Sequence, residues 1–72
     1  MEMLDTGTDE LLASLDDRVA TVTLNRPERL NAVNGVMHRE LSTFSRDADS
    51  DRDTRVVVLA GEGRAFCAGG DF

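Results

Sequence analysis

The chain has 72 residues and a formal charge of −6, from 14 acidic and 8 basic side chains. That balance argues against nonspecific nucleic-acid binding and against an anionic membrane surface. One cysteine allows no internal disulfide, three Phe are the whole aromatic content, and a globule this small hides only about 60% of the surface its unfolded chain exposes, so the composition describes a piece of something larger or a subunit that leans on partners.

The first ten residues, MEMLDTGTDE, are polar and acidic with no sustained periodicity, and read as a flexible acidic tail. Residues 11–72 are then the folded unit. The start lacks the basic segment of a signal peptide and the Arg-rich character of a transit peptide. No apolar run approaches the ~18 residues of a membrane span. A reducing, cytoplasmic location is the expectation. Leu4 to Gly7 spells the Asp-Thr-Gly signature of aspartic proteases, whose Asp must be braced by a preceding strand and paired with a second carboxylate. Nothing before Asp5 can brace it, and the match is read as chance.

From Leu11 to Leu24 the pattern is strand-like: a first segment, a turn at Asp16-Asp17, then Val19, Thr21 and Thr23 interleaved with Ala20, Val22 and Leu24. This is a β-hairpin. Pro27 lacks a backbone donor and biases Arg26 away from helical geometry, so NRPERLNAVN is a connector. Asn34 caps a helix whose apolar positions Val33, Val36 or Met37, Leu41, Phe44 and Ala48 recur at helical spacing, with the helix running through about Ser45. The sole histidine, His38, falls on its polar side. Beyond Ser45 the charges alternate in sign, as in a solvated helix end followed by a loop.

Within that stretch Asp47, Asp49, Asp51 and Asp53 have the spacing of a calcium loop. The sixth place, however, holds Arg52 rather than Gly and the twelfth holds Val58 rather than Glu. The series reads as a solvated face, and no metal site is expected. Arg55 to Ala60 is a strand without alternation, which implies burial on both faces and parallel pairing. The order β-β-α-β makes the second half a right-handed βαβ unit, and ligands in open α/β sheets lie at the carboxyl ends of strands. The loop after Ala60, GEGRAFCAGGDF, is therefore the best-placed site.

The loop matches neither common nucleotide motif. Counting from Gly61, the sixth place of a dinucleotide fingerprint holds Phe66. From Gly63 to Gly69 the spacing is too long for a phosphate loop, and no Lys follows. Cys67 has no base on its own element and reads as a small packing residue rather than a nucleophile. What remains is AFCAGGD, residues 65–71. Small residues let the backbone approach a ligand, and an amide turned outward after a strand can serve as half of an oxyanion hole. By composition alone the segment is also compatible with an ordinary glycine-rich turn.

The conjunction of VATVTLNRPERLNAVN, DTRVVVLAGEGRAFCAGGD and the helix between them, in this order and separation, resembles the amino-terminal part of the crotonase superfamily, the enoyl-CoA hydratase/isomerase family. The resemblance spans about residues 11–72. It implies an α/β fold, the β-β-α-β start of a ClpP/crotonase spiral that is incomplete here, and assembly of the parent enzyme into homotrimers or hexamers. It also implies an acyl-CoA thioester substrate, with no cofactor apart from the coenzyme A that the substrate carries.

By the same resemblance, the Gly70 N–H is one of two oxyanion-hole donors and the Ala68 carbonyl accepts from the CoA adenine. Arg29 and Leu30 lie along the CoA moiety, with Arg26 and Arg29 forming a positive edge for its phosphates. Asp71 and Phe72 turn beside the acyl group, and Gly69 belongs to the same substrate-binding loop. The second oxyanion-hole glycine and the proton-transferring glutamates map beyond Phe72, so this chain is expected to be inactive alone. The alternative is a truncated, non-catalytic chain that binds CoA weakly or associates with intact family members; an inert fragment that folds poorly is a third.

Overall fold

The structure, a computed structural model, describes residues 2–70. Four strands form one sheet in the order β1-β2-β3-β4: β1 (Glu2–Leu4), β2 (Leu11–Asp16), β3 (Val19–Leu24) and β4 (Val56–Gly61). A 3₁₀ turn, Pro27–Arg29, and one helix, α1 (Gly35–Ser50), connect β3 to β4. The first two pairings are antiparallel, whereas β3 and β4 run parallel. This is the α/β, β-β-α-β order expected, with one strand added in front.

The hairpin turn sits one residue later than the sequence suggested. Asp17 and Arg18 are its two central residues, both left-handed at φ 48° and 68°. Two consecutive positive φ values are what a two-residue hairpin needs to match the twist of its strands. The register places Leu11 opposite Leu24 and Ala13 opposite Val22, so the alternation of both strands delivers one apolar face. Leu11, Val22 and Leu24 are buried there together with Met37 of α1.

Asn34 caps α1 as its sequence position implied: its side-chain oxygen accepts from the Met37 N–H at 2.9 Å. Leu41 and Phe44 pack on the core beside Met37. The helix continues to Ser50, one turn beyond the expected end near Ser45. Asp47 and Asp49 thus lie on an exposed last turn rather than in a loop.

Two expectations are corrected. Residues 2–4 are an edge strand rather than tail, registered from Glu2 against Leu15 to Leu4 against Ala13. Three residues are too few to show alternation. The turn that returns the chain is built from side chains: Asp5 accepts from the Gly7 N–H at 3.0 Å, and the Thr6 hydroxyl is shared between the Thr8 and Leu11 carbonyl oxygens. The second correction concerns β4, which is parallel as expected but not buried on both faces. Val56, Val57, Val58 and Leu59 remain 43–52% exposed. A helix is about 10–12 Å across with its side chains, while neighbouring strands lie ~4.8 Å apart, so one helix covers about two strands. Here those strands are β2 and β3.

Candidate functional site

The connector after β3 is closed into a compact ring. Asn31 donates its backbone N–H to the Arg26 carbonyl at 2.9 Å and accepts the Arg26 N–H on Oδ1 at 2.7 Å. Inside the ring, the Leu30 N–H reaches the Pro27 carbonyl at 3.0 Å. Leu30 and Asn31 are both left-handed, at φ 53° and 59°. Asn adopts this region readily; a residue such as Leu does so at a cost of ~1–2 kcal/mol. The surrounding hydrogen bonds hold Leu30 there, and the result is an outward corner with Arg29 and Leu30 exposed.

Arg26 does not share that corner's exposure. Its guanidinium pairs with Glu10 at 3.2 Å and donates to the Ala32 carbonyl at 2.9 Å, and its side chain is only 14% exposed. The expectation that Arg26 presents charge to phosphates is therefore corrected: the side chain braces the connector. Glu10 also accepts from the Asn34 amide at 3.0 Å, so a residue assigned by sequence to the tail ties the connector to the helix cap.

The loop after β4 folds back on the strand end. A Cβ built on Gly61 would lie 2.5 Å from the Phe66 carbonyl oxygen, so glycine is required by close backbone approach. Gly63 and Gly69 turn with φ +83° and +112°. The Asn31 amide donates to the Glu62 and Ala65 carbonyls at 2.7 and 2.8 Å. Further along, the Val33 N–H donates to the Gly69 carbonyl at 2.8 Å, within a parallel bridge between Val33 and Gly70. Successive peptide groups of extended backbone face opposite sides. With the Gly69 carbonyl turned to Val33, the Gly70 N–H of the same peptide unit, trans to that carbonyl, points to the other side.

The connector corner, Arg29 and Leu30, and the loop, Ala68 to Gly70, are thus joined through Asn31 and Val33. Asp71 and Phe72 lie outside the described residues. Cys67 is half-buried against the core, and its Sγ accepts the Gly69 N–H at 3.4 Å. His38 is exposed on α1. Among the described residues, no three carboxylate, imidazole or thiol groups converge as metal ligands, and no helix is long and apolar enough to cross a membrane. Two hollows, of about 440 and 430 Å³, lie along β1 and the turn after it, and between the sheet and the end of α1; neither includes residues 65–70. The residue that sequence reasoning missed is Asn31. Its only signal was an Asn in a turn-prone stretch, and its partners lie 31 and 34 residues away.

This strand, crossover helix and parallel strand, ending in a glycine loop, has counterparts among known proteins. The profile of the enoyl-CoA hydratase/isomerase family matches residues 19–72, and the chain belongs to that family, within the crotonase superfamily. A probable enoyl-CoA hydratase of Rhizobium meliloti is 46% identical over 63 residues, covering 88% of this chain and 24% of that protein. The 1,2-epoxyphenylacetyl-CoA isomerase of Escherichia coli is 44% identical over 61 residues, 85% of this chain and 23% of that one. The crystal structure of an enoyl-CoA hydratase from Mycobacterium tuberculosis superimposes with a TM-score of 0.85 at 42% identity, over 89% of this chain and 28% of that chain. The chain therefore spans about a quarter of the length of the relatives it matches.

Proposed function

We propose that residues 11–72 form the acyl-CoA-recognition part of an enoyl-CoA hydratase/isomerase-type site. Arg29 and Leu30 flank the CoA moiety and the Ala68 carbonyl accepts from its adenine. Asp71 and Phe72 border the acyl group, Gly69 belongs to the substrate-binding loop, and the Gly70 N–H donates to the thioester oxygen. The observation that carries this reading is the Val33–Gly69 hydrogen bond, which turns the following amide to the side opposite Val33.

In the whole enzyme, water adds across the double bond of a 2-enoyl thioester: its oxygen bonds the β-carbon and a proton reaches the α-carbon. Negative charge builds on the thioester oxygen in between. A fixed N–H aimed at that oxygen bonds the transition state more strongly than the ground state, which is the condition for acceleration. The second donor and the acid/base groups are assigned to no residue of this chain. The same reading gives the parent enzyme a homotrimeric or hexameric assembly, a cytoplasmic location and a role in fatty-acid metabolism. The exposed apolar strand β4 favours a second reading, a non-catalytic chain that associates with intact family members.

Titration of the ¹⁵N-labelled chain with crotonyl-CoA tests the first. Shifts should concentrate at Arg29, Leu30 and residues 68–70, with no hydration above background, since general acid–base groups contribute ~10²–10⁴-fold. Robust turnover by this chain alone, or shifts confined to other residues, would reject it. In a protein carrying this segment with the remainder of the family length, Gly70→Pro should remove ~2.7–4 kcal/mol of transition-state stabilisation, whereas Cys67→Ser should retain much of the activity. The reverse ranking would point to a cysteine nucleophile.

A further inference from the structure

We infer that Asn31 is a positioning residue that couples the connector to the glycine loop, so that the two sides of the acyl-CoA site keep one fixed separation. The inference rests on the acyl-CoA reading above for its substrate and on the hydrogen-bond geometry for the coupling itself.

Asn31 is fully buried, the one buried polar residue among those described, and its side chain makes three hydrogen bonds. Oδ1 takes the Arg26 N–H at 2.7 Å, and Nδ2 gives both of its protons, to Glu62 O and Ala65 O at 2.7 and 2.8 Å. The orientation of the amide is chemically fixed. Turned over, it would set its oxygen against two carbonyl oxygens and its NH₂ against an N–H. One planar group thus holds the connector on one side and the loop on the other.

Val33, two residues on, adds a second tie by donating to the Gly69 carbonyl at 2.8 Å. The loop is therefore held near its beginning, at residues 62 and 65, and near its end, at residue 69, by one short stretch of connector. That stretch directly follows the exposed corner of Arg29 and Leu30. Displacing the corner would pull on Asn31, and through it on the loop that precedes Gly70. Asn31 is not placed against substrate; it acts through the backbone it holds.

Asn31→Asp tests this with little change of size. It keeps the acceptor for Arg26 and tolerates the left-handed backbone, but sets a carboxylate oxygen against the two loop carbonyls. Hydrogen exchange at the Val33 amide, which bonds across the clamp, should accelerate about tenfold or more, as expected for losing two buried hydrogen bonds. The β2–β3 ladder amides should change less than about twofold, and crotonyl-CoA should bind about tenfold more weakly. Uniform acceleration of all ladder amides would show a merely structural role and overturn the proposal, as would Val33 exchange within twofold of the wild type.

If Asn31→Asp fails to fold, native-state exchange of the unmutated chain decides. The Arg26 and Val33 amides should open in one event with the same denaturant dependence, and independent opening overturns the coupling. A wild-type chain that shows no response to crotonyl-CoA would instead remove the substrate from the proposal. That failure is distinguishable, because the exchange measurements need no ligand.

Discussion

Strands β3 and β4 lie side by side, equal in length and parallel in unbroken register from Val19 against Val56 to Leu24 against Gly61. On one face Ala20, Val22 and Leu24 are 1–2% exposed; their partners Val57 and Leu59 on that same face are 50% and 49% exposed. By composition β4 is the more apolar strand, yet β3 is the one in the core. The difference lies in what stands above each. Met37, Leu41 and Phe44 of α1 pack on the residues of β2 and β3, and the helix is too narrow to reach further. Burial is conferred by neighbours, and an apolar run states only that a strand can be buried.

The comparison can be tested from the covered side first. Leu24→Ala should cost ~2–5 kcal/mol, as loss of a fully buried Leu does, read as the shift in urea midpoint by circular dichroism. At Gly61 the returning loop closes against the end of β4. Gly61→Ala forces a Cβ onto the Phe66 backbone and should cost ~1–3 kcal/mol, with perturbed amides at 65–70 in an ¹⁵N spectrum. A cost near zero would mean that the loop does not close on the strand in solution.

Smaller effects sharpen the contrast. Asn34→Ala removes the helix cap, and with it the Glu10 contact. It should cost ~0.5–2 kcal/mol and speed hydrogen exchange in the first turn of α1. Val57→Thr should stay within ~0.5 kcal/mol, as substitutions at uncovered positions do. A cost above ~1 kcal/mol would break the comparison, because it would show β4 to be covered in solution, and dilution in sedimentation experiments would then identify a second copy as the cover.

Much of this architecture was legible because its signals are local. The alternation of β3, the Asn34 cap and the three-to-four-residue spacing of Met37, Leu41 and Phe44 are short-range patterns, and each fixed the element it described. The hairpin turn was misplaced by one residue, since Asp16, Asp17 and Arg18 are all polar and only the backbone shows which two adopt positive φ. For the candidate site, the motif pointed to the loop and the connector together. The bonds that join them were not visible, and Arg26 was assigned an outward role that its pairing with Glu10 denies.

What the sequence determined by itself is the order of the elements from β2 onward, the faces they can bury, the family, and the loop at the carboxyl edge of the sheet. These follow from side-chain periods and turn chemistry that act over a few residues. The tertiary structure alone decided which apolar strand is covered, that residues 2–4 join the sheet, and that Asn31 clamps a loop 31 to 34 residues away. The width of a helix over a sheet and the demand of a buried amide for three partners are met only after the chain has closed on itself. No local pattern carries them.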